Sequence, residues 1–331
     1  MKTSIPITDT PEKLLVVEQL SKHFGLKNGL FSRRGPSLPA IDQVSLQIDA
    51  GQIYGLVGES GSGKSTLGRA ILQLIKPDAG KVFFRGEDLC QAQAGDLNIA
   101  RKKMRFIFQD SSAALSPRRT ILQSLLEPLE QYDTQDPSQH RAKCEEVLET
   151  VGLDQDVLGR LPHQLSSGQR QRIGIARAVL TGPDLIIADE AVSALDVSVQ
   201  AQILDLIRKL RSDQGIAFLF ISHDLAVISQ VADVVGVMFK GQIVESAPMA
   251  SLFEHPSHPY TQELLAAIPS PDPAITMKTV HVKAGLSREA STTACVFANR
   301  CASVMPQCRD TQPDNIALAS GDHFVKCHLL A

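Results

Sequence analysis

The chain has 331 residues, and 33 Lys and Arg against 36 Asp and Glu leave a formal charge of −3. That balance argues against a protein whose main work is coating nucleic acid, which is normally strongly basic. Hydrophobic residues at 43% and charged residues at 21% describe a globular chain, long enough for roughly two domains.

With 12 Phe, 3 Tyr and no Trp, the core must be built mainly from Leu, Ile, Val and Ala. No apolar run approaches the ~18 residues that cross a bilayer. The start of the chain, Met1–Lys13, is polar, holds two prolines and lacks the apolar stretch of a secretory signal. A cytoplasmic protein is therefore expected, with any link to a membrane running through a partner.

In chain order, Leu14–Leu20 and Val44–Ile48 read as strands, with a Gly-, Ser-, Arg- and Pro-bearing loop at 25–39 between them. Ile53–Val57 is a short apolar strand that ends in a glycine-rich turn. From Lys64 the residues Leu67, Ala70, Ile71, Leu74 and Ile75 recur at helical spacing, and residues 76–80 stop the helix. Lys81–Phe84 and Arg105–Phe108 are further strands. The basic run 101–105 between them reads as a solvated face.

Residues 111–165 read as a helical insertion, with helical patterns at Ile121–Leu129 and Ala142–Val151 and polar breaks such as Asp133–Ser138. Strand and helix then alternate: Leu185–Ala188, Val197–Leu210, Ala217–Ile221, Leu225–Val231 and Val234–Phe239. Repeated βαβ order implies a largely parallel sheet covered by helices. Prolines at 248, 256, 259, 269, 271 and 273 mark an appended C-terminal region.

The strongest chemical signal is Gly58-Glu59-Ser60-Gly61-Ser62-Gly63-Lys64-Ser65, with Thr66 following. It fits G-x-x-x-x-G-K-[ST] and lies between a predicted strand and a predicted helix, as that motif requires. Glycines let backbone N–H groups wrap phosphate oxygens, and the helix N-terminus adds positive potential. Lys64 can reach the β- and γ-phosphates, and Ser65 offers a hydroxyl to Mg²⁺. The second signal is Asp189-Glu190 at the end of an apolar strand, where ligands sit in open α/β sheets. Two solvated acids would look the same in isolation. Coupled to the phosphate loop, Asp189 is placed for Mg²⁺ and Glu190 is a candidate general base.

With these residues in view, the chain resembles the ABC-type ATPases. Leu165-Ser166-Ser167-Gly168-Gln169 looks like that family's signature motif. Gln109 resembles the Q-loop residue, also near Mg²⁺, and Ser193–Asp196 the D-loop. His223 resembles the switch histidine, and Phe24 stands where the family stacks an aromatic on adenine. The motifs keep the family's order over residues 14–245. The resemblance implies a P-loop NTPase fold, α/β, with a RecA-like core, an antiparallel β subdomain and a helical insertion. It also implies two ATPase domains meeting head to tail around ATP. One would supply the phosphate loop, Gln109, Asp189, Glu190 and His223, and the other Ser166, Gly168 and Gln169. Two departures stand out: Ser167 where glycine is commoner, and Ala191 where the family usually has proline.

His258-Pro259-Tyr260-Thr261 and the spacing Cys295, Cys301, Cys308, Cys327 resemble the C-terminal extension of the oligopeptide, dipeptide and nickel importer ATPases. Cys90 and Cys144 stand apart. Four thiolates can ligate zinc or an iron–sulfur cluster, or remain unligated, and the spacing alone does not decide. The resemblance favours [4Fe–4S].

The expectations are then an ATP-binding domain over 14–250 and an extension over 251–331. The expected role is an importer ATPase on the cytoplasmic face of the inner membrane. Its partners would be a second ATPase subunit (a related chain or a second copy), two permease subunits and a solute-binding protein, with no nucleic acid. A permease helix would enter near Gln109. The competing reading is a soluble ABC ATPase acting on ribosomes or nucleic acid. Such proteins commonly carry two cassettes or long coiled coils, and this chain has neither.

Overall fold

The computed structural model describes residues 13–24, 39–109, 115–132, 137–268, 294–318 and 321–330. Residues 25–38 of the loop expected at 25–39, the first residues of the insertion, part of the break at 133–138 and the prolines at 269, 271 and 273 lie outside the described residues.

Strands β1 (Lys13–His23), β2 (Pro39–Asp49), β4 (Ala79–Phe84) and β5 (Glu87–Asp88) form an antiparallel sheet in the order β2-β1-β4-β5. The loose alternation of β1 has a structural cause. Gln19 takes a left-handed φ of 45°, and the β1–β2 register shifts between Val17 and Leu20. The irregularity puts both residues in the core although they are three apart.

The second sheet is built on β3 (Ile53–Val57), β6 (Met104–Ile107), β7 (Leu185–Asp189), β8 (Ala217–Ser222), β9 (Val234–Phe239) and β10 (Gln242–Pro248). With β11 (Asn315–Ala317) and β12 (Phe324–Lys326) its order is β11-β12-β10-β9-β3-β8-β7-β6. Neighbours from β9 to β6 run parallel, and the β10, β12 and β11 edge is antiparallel. Every residue of β3, β7 and β8 is buried, which is why these strands read as continuous apolar runs.

The helices are α1 (Lys64–Ile71), α2 (Ala94–Lys103), α3 (Ile121–Tyr132), α4 (His140–Thr150), α5 (Ser167–Val179), α6 (Val197–Gln214), α7 (Leu225–Ile228), α8 (Met249–Glu254), α9 (Pro259–Ala266) and α10 (Gln307–Asp310). Leu67, Ala70 and Ile71 of α1 pack with the first sheet and one face of the second. Residues of α3 to α6 fill the other face, and that cluster continues into Tyr260 and Phe297.

Three sequence expectations need correction. Helix α1 ends at Ile71, so Leu74 lies beyond it and is exposed. Gln73 turns the chain with a φ of 55°, and the Arg101 guanidinium donates to the carbonyls of Leu72 and Gln73, at 3.2 and 2.9 Å. Arg101 thus caps the end of α1, Lys103 donates to the Gly182 carbonyl, and the basic run at 101–105 is half-buried, not a solvated face. Helix α7 stops at Ile228, and β10 carries no strand alternation that set it apart in the sequence.

The region after residue 250 is not set apart in space. Strand β12 pairs with β10, and His323 Nε2 lies 2.7 Å from the fully buried carboxylate of Glu245. Glu245 also accepts from the amides of Ser257 and His258. At the start of α9, His258 Nδ1 accepts the Tyr260 N–H at 3.0 Å, so the buried ring caps the helix in its neutral form. Burial pushes its pKa down from 6.5 to about 4. Below pH 6.5 the unfolded chain takes up a proton that the folded chain refuses until about pH 4. Stability should fall across that window, by up to about 3 kcal/mol at its lower end. Urea titrations of the wild type and of His258→Asn, which keeps a capping acceptor but does not titrate, should show this part of the slope only in the wild type.

Candidate functional site

The phosphate loop leaves the C-terminal end of β3 and enters α1 at Lys64. Gly63 has a φ of 108°, and a Cβ there would collide with the carbonyl of Ala40, so only glycine fits. The Ser62 carbonyl accepts from the Gly241 amide at 2.8 Å, which ties the loop to the β9–β10 turn. No acidic residue lies in the first turn of α1 to cancel its positive end. Glu59, Ser60 and Gly61 are exposed, while Ser62 and Lys64 are buried.

Lys64 folds back over its own loop. Its ammonium donates to the carbonyls of Gly58 and Glu59 at 2.7 and 2.9 Å, with Ser62 Oγ at 3.4 Å. Burial lowers its pKa, and the carboxylates of Glu190, Asp189 and Glu59 push it back up. Ser65 Oγ donates to Asp189 Oδ1 at 2.8 Å. Burial raises the Asp189 carboxyl, against the opposing pull of the Ser65 hydroxyl, Arg69 and Lys64. A hydroxyl and one carboxylate are the small protein share that Mg²⁺ uses when phosphates and waters complete its shell. This pair fits that ion.

Glu190 follows β7 with a left-handed φ of 48°, and its amide donates to the Ile221 carbonyl at 3.0 Å. This turn aims its carboxylate at two of the sequence-predicted residues. Gln109 Nε2 donates to Glu190 Oε2 at 2.8 Å, and His223 Nδ1 stands 3.4 Å from Oε1. Gln109, Glu190 and His223 therefore meet, although they lie far apart in the chain. Ala191 is buried, and Ser193 holds the Glu190 carbonyl through its amide and hydroxyl. The site can thus bind phosphate through the loop, hold a divalent cation at Ser65 and Asp189, and polarise a water at Glu190.

The signature residues sit elsewhere. Ser166 is the N-cap of α5: its Oγ accepts from the Gln169 amide at 3.2 Å, and Gln169 Oε1 accepts from the Ser166 amide at 3.0 Å. A Cβ on Gly168 would stand 2.6 Å from Val199 of α6. Ser166 and Ser167 are exposed. Among the described residues no hydrogen bond or ion pair joins them to the chain's own phosphate loop. Asp196 of the D-loop caps α6 by accepting from the Val199 amide. Phe24 is exposed at the end of β1, with Lys22 Nζ 6.0 Å from its ring centroid.

The four C-terminal cysteines fall in one neighbourhood. Burial raises the thiols of Cys295, Cys301 and Cys327, and the nearby cysteines raise them further. The Cys295 amide donates to the Cys308 carbonyl at 2.9 Å. Among the described residues, however, no group of three or more His, Cys, Asp and Glu side chains is arranged to hold a metal ion. The sequence also gave no warning that the extension reaches the phosphate loop. Tyr260 Oη accepts the Glu59 amide at 3.0 Å, and Arg300 Nη1 lies 2.6 Å from Glu59 Oε1. The amide of Glu59 is occupied, so this residue contributes to the loop differently from its glycine neighbours. Its partner Tyr260 stood out only as part of a C-terminal motif.

Comparison with known proteins places this geometry. The ABC transporter family model matches residues 41–193. A second model, the C-terminal region of oligopeptide/dipeptide transporters, matches residues 244–308. The chain is 42% identical over 321 residues to a probable peptide ABC transporter ATP-binding protein of Sinorhizobium fredii, covering 97% of this chain and 91% of that one. It is 40% identical to the oligopeptide transport ATP-binding protein AppF of Bacillus subtilis, over 96% of this chain and 98% of that one. Among solved structures, the dimeric ATP-binding cassette MJ0796 bound to ADP and Pi is similar with a TM-score of 0.63 at 28% identity, covering 71% of this chain and 98% of that one.

The Ser65–Asp189 contact makes a stability prediction. Ser65→Ala should leave a buried carboxylate oxygen without its donor and cost about 1–3 kcal/mol. Ser65→Thr, which keeps the hydroxyl, should cost much less. Chemical denaturation of the nucleotide-free protein measures both.

Proposed function

The chain belongs to the ABC transporter ATP-binding protein family, and from that premise we propose that it is the ATP-hydrolysing subunit of an importer for peptides or a related solute such as nickel. The observation that carries this reading is the meeting of Gln109, Glu190 and His223 beside a phosphate loop whose Ser65 contacts Asp189.

In this reading Lys64 exchanges the carbonyls of Gly58 and Glu59 for the β- and γ-phosphates. Backbone N–H groups of the loop, that of Glu59 excepted, cradle the same oxygens. Ser65 and Asp189, with Gln109 as a further ligand, would hold Mg²⁺, and the ion would supply positive charge against that developing on the phosphates. Glu190 accepts the proton of the attacking water, and His223 steadies the Glu190 side of the γ-phosphate. Phe24 is an adenine platform, exposed as that role needs.

Ser166, Gly168 and Gln169 complete the site of a second ATPase subunit, a related chain or a second copy. Support comes from the exposed Ser166 and Ser167 at the start of a 13-residue helix with no acidic residue in its first turn. Donors from two subunits are satisfied together only around ATP, so ATP favours closure and hydrolysis releases it.

No helix among the described residues is long and apolar enough to cross a membrane. We place the chain peripherally, on the cytoplasmic face of the inner membrane, below two permease subunits served by a solute-binding protein. A cavity of about 460 Å³ between the insertion and the core, lined by Arg105, Glu127, Pro128 and Arg177 among others, is a candidate seat for a permease helix. Residues 14–250 form the cassette and 251–331 the extension. In that extension Cys295, Cys301, Cys308 and Cys327 are a donor set for [4Fe–4S], with zinc as the alternative.

Two experiments test these assignments. Glu190→Gln should retain ATP binding, lose at least about a hundredfold in turnover and accumulate as a dimer with ATP. Normal turnover would remove Glu190 as the base. Protein purified without oxygen should carry iron and absorb in the visible range, and a metal-free protein with a folded C-terminus would remove the cluster.

A further inference from the structure

The C-terminal extension touches the phosphate loop at one residue, Glu59, from two directions. The buried Tyr260 accepts its amide proton at 3.0 Å, and Arg300 Nη1 lies 2.6 Å from its carboxylate. The second arm of Arg300, Nη2, lies 3.0 Å from Glu263 of α9. The guanidinium stands 5.7 Å from the ring centroid of Tyr260 and 5.8 Å from that of Phe297.

This arrangement is anchored at both ends. Tyr260 and Phe297 pack on Phe239, the last residue of β9, with centroids 4.7 and 5.2 Å away. Arg300 closes a turn in which its own amide and that of Cys301 both donate to the Phe297 carbonyl at 3.0 Å. Arg300 is therefore presented by a fixed turn between Cys295 and Cys301.

Glu59 poses an electrostatic problem for a loop that binds phosphate. Its carboxylate is close enough to Lys64 to act on that ammonium. Any triphosphate bound by Lys64 meets the same negative charge, and like charges at this range repel. Arg300 is the cation in direct contact with Glu59 that cancels it.

We propose that the C-terminal extension braces the phosphate loop, with Arg300 acting as a positioning residue that neutralises Glu59 beside the nucleotide phosphates. The proposal rests on reading Gly58–Ser65 as the ATP site. In it the extension contributes to nucleotide affinity without touching the nucleotide. Arg300 sets the charge of the loop, and Tyr260 sets its backbone.

The test is a charge rescue in the full-length chain, read by titrating a fluorescent ATP analogue at low salt. Arg300→Gln should weaken binding by about fivefold, the scale of one partly screened charge pair. Arg300→Lys should recover most of the loss. Adding Glu59→Gln to Arg300→Gln should bring the affinity back to within about twofold of wild type, because the Glu59 charge that acts on Lys64 is gone, although Glu263 also loses its Arg300 partner. The defect of Arg300→Gln should also shrink at 1 M salt.

Thermal melts identify variants that fail to fold, and Arg300→Lys keeps the comparison open if Arg300→Gln is one of them. Unchanged affinity in folded Arg300→Gln, or a double variant as weak as Arg300→Gln alone, overturns the proposal. A wild-type chain that does not bind the analogue overturns the ATP-site reading itself, a result distinct from either.

Discussion

A phosphate loop works only if its amides face inward while water and neighbouring carbonyls compete for them, so the rest of the molecule has to hold that backbone open. Here the restraint comes from all sides. Gly63 is pressed against the Ala40 carbonyl of β2, Ser62 is tied to the β9–β10 turn through Gly241, and Glu59 is held by Tyr260 of α9. Lys64 meanwhile occupies the carbonyls of Gly58 and Glu59. The loop is therefore shaped before any phosphate arrives. Pre-organisation of this kind reduces the ordering cost of binding.

The same restraint explains the layout of the acids. Parallel strands β3, β7 and β8 end on one edge, which delivers Ser65, Asp189, Glu190 and His223 to the same place from separate segments. The left-handed backbone of Glu190 is a local strain that the Ile221 hydrogen bond and the buried Ala191 hold in place. Strain at such a position is typical of sites where a side chain must be aimed. The signature turn at Ser166 obeys another logic. It is a helix start closed by a capping box between Ser166 and Gln169, with Ser166 and Ser167 turned to solvent.

The C-terminal region changes meaning once it is seen in place. As a sequence it is a proline-marked appendix with four cysteines and the short run His258–Thr261. In space its strand β12 extends the main sheet, its buried Glu245–His323 pair locks that edge, and Tyr260 and Phe297 complete the core beside β9. The extension is a structural neighbour of the nucleotide loop.

The sequence by itself determined the parts whose physics is local. Strands buried on both faces are legible as apolar runs. The phosphate loop is legible because its glycines and lysine are adjacent in the chain. The family was legible because Gln109, Ser166, Asp189 and His223 keep a fixed order. Helix α1 was read about one turn too long, because Gln73 and Arg101 end it through contacts that periodicity does not encode. The resemblance already placed Gln109, Glu190 and His223 in one site, but the contacts of Glu190 with both, and the meeting of Glu59 with Tyr260 and Arg300, were decided only by the tertiary structure. Both join residues far apart in the chain, and such contacts are set by sheet order and packing rather than by any pattern along the sequence.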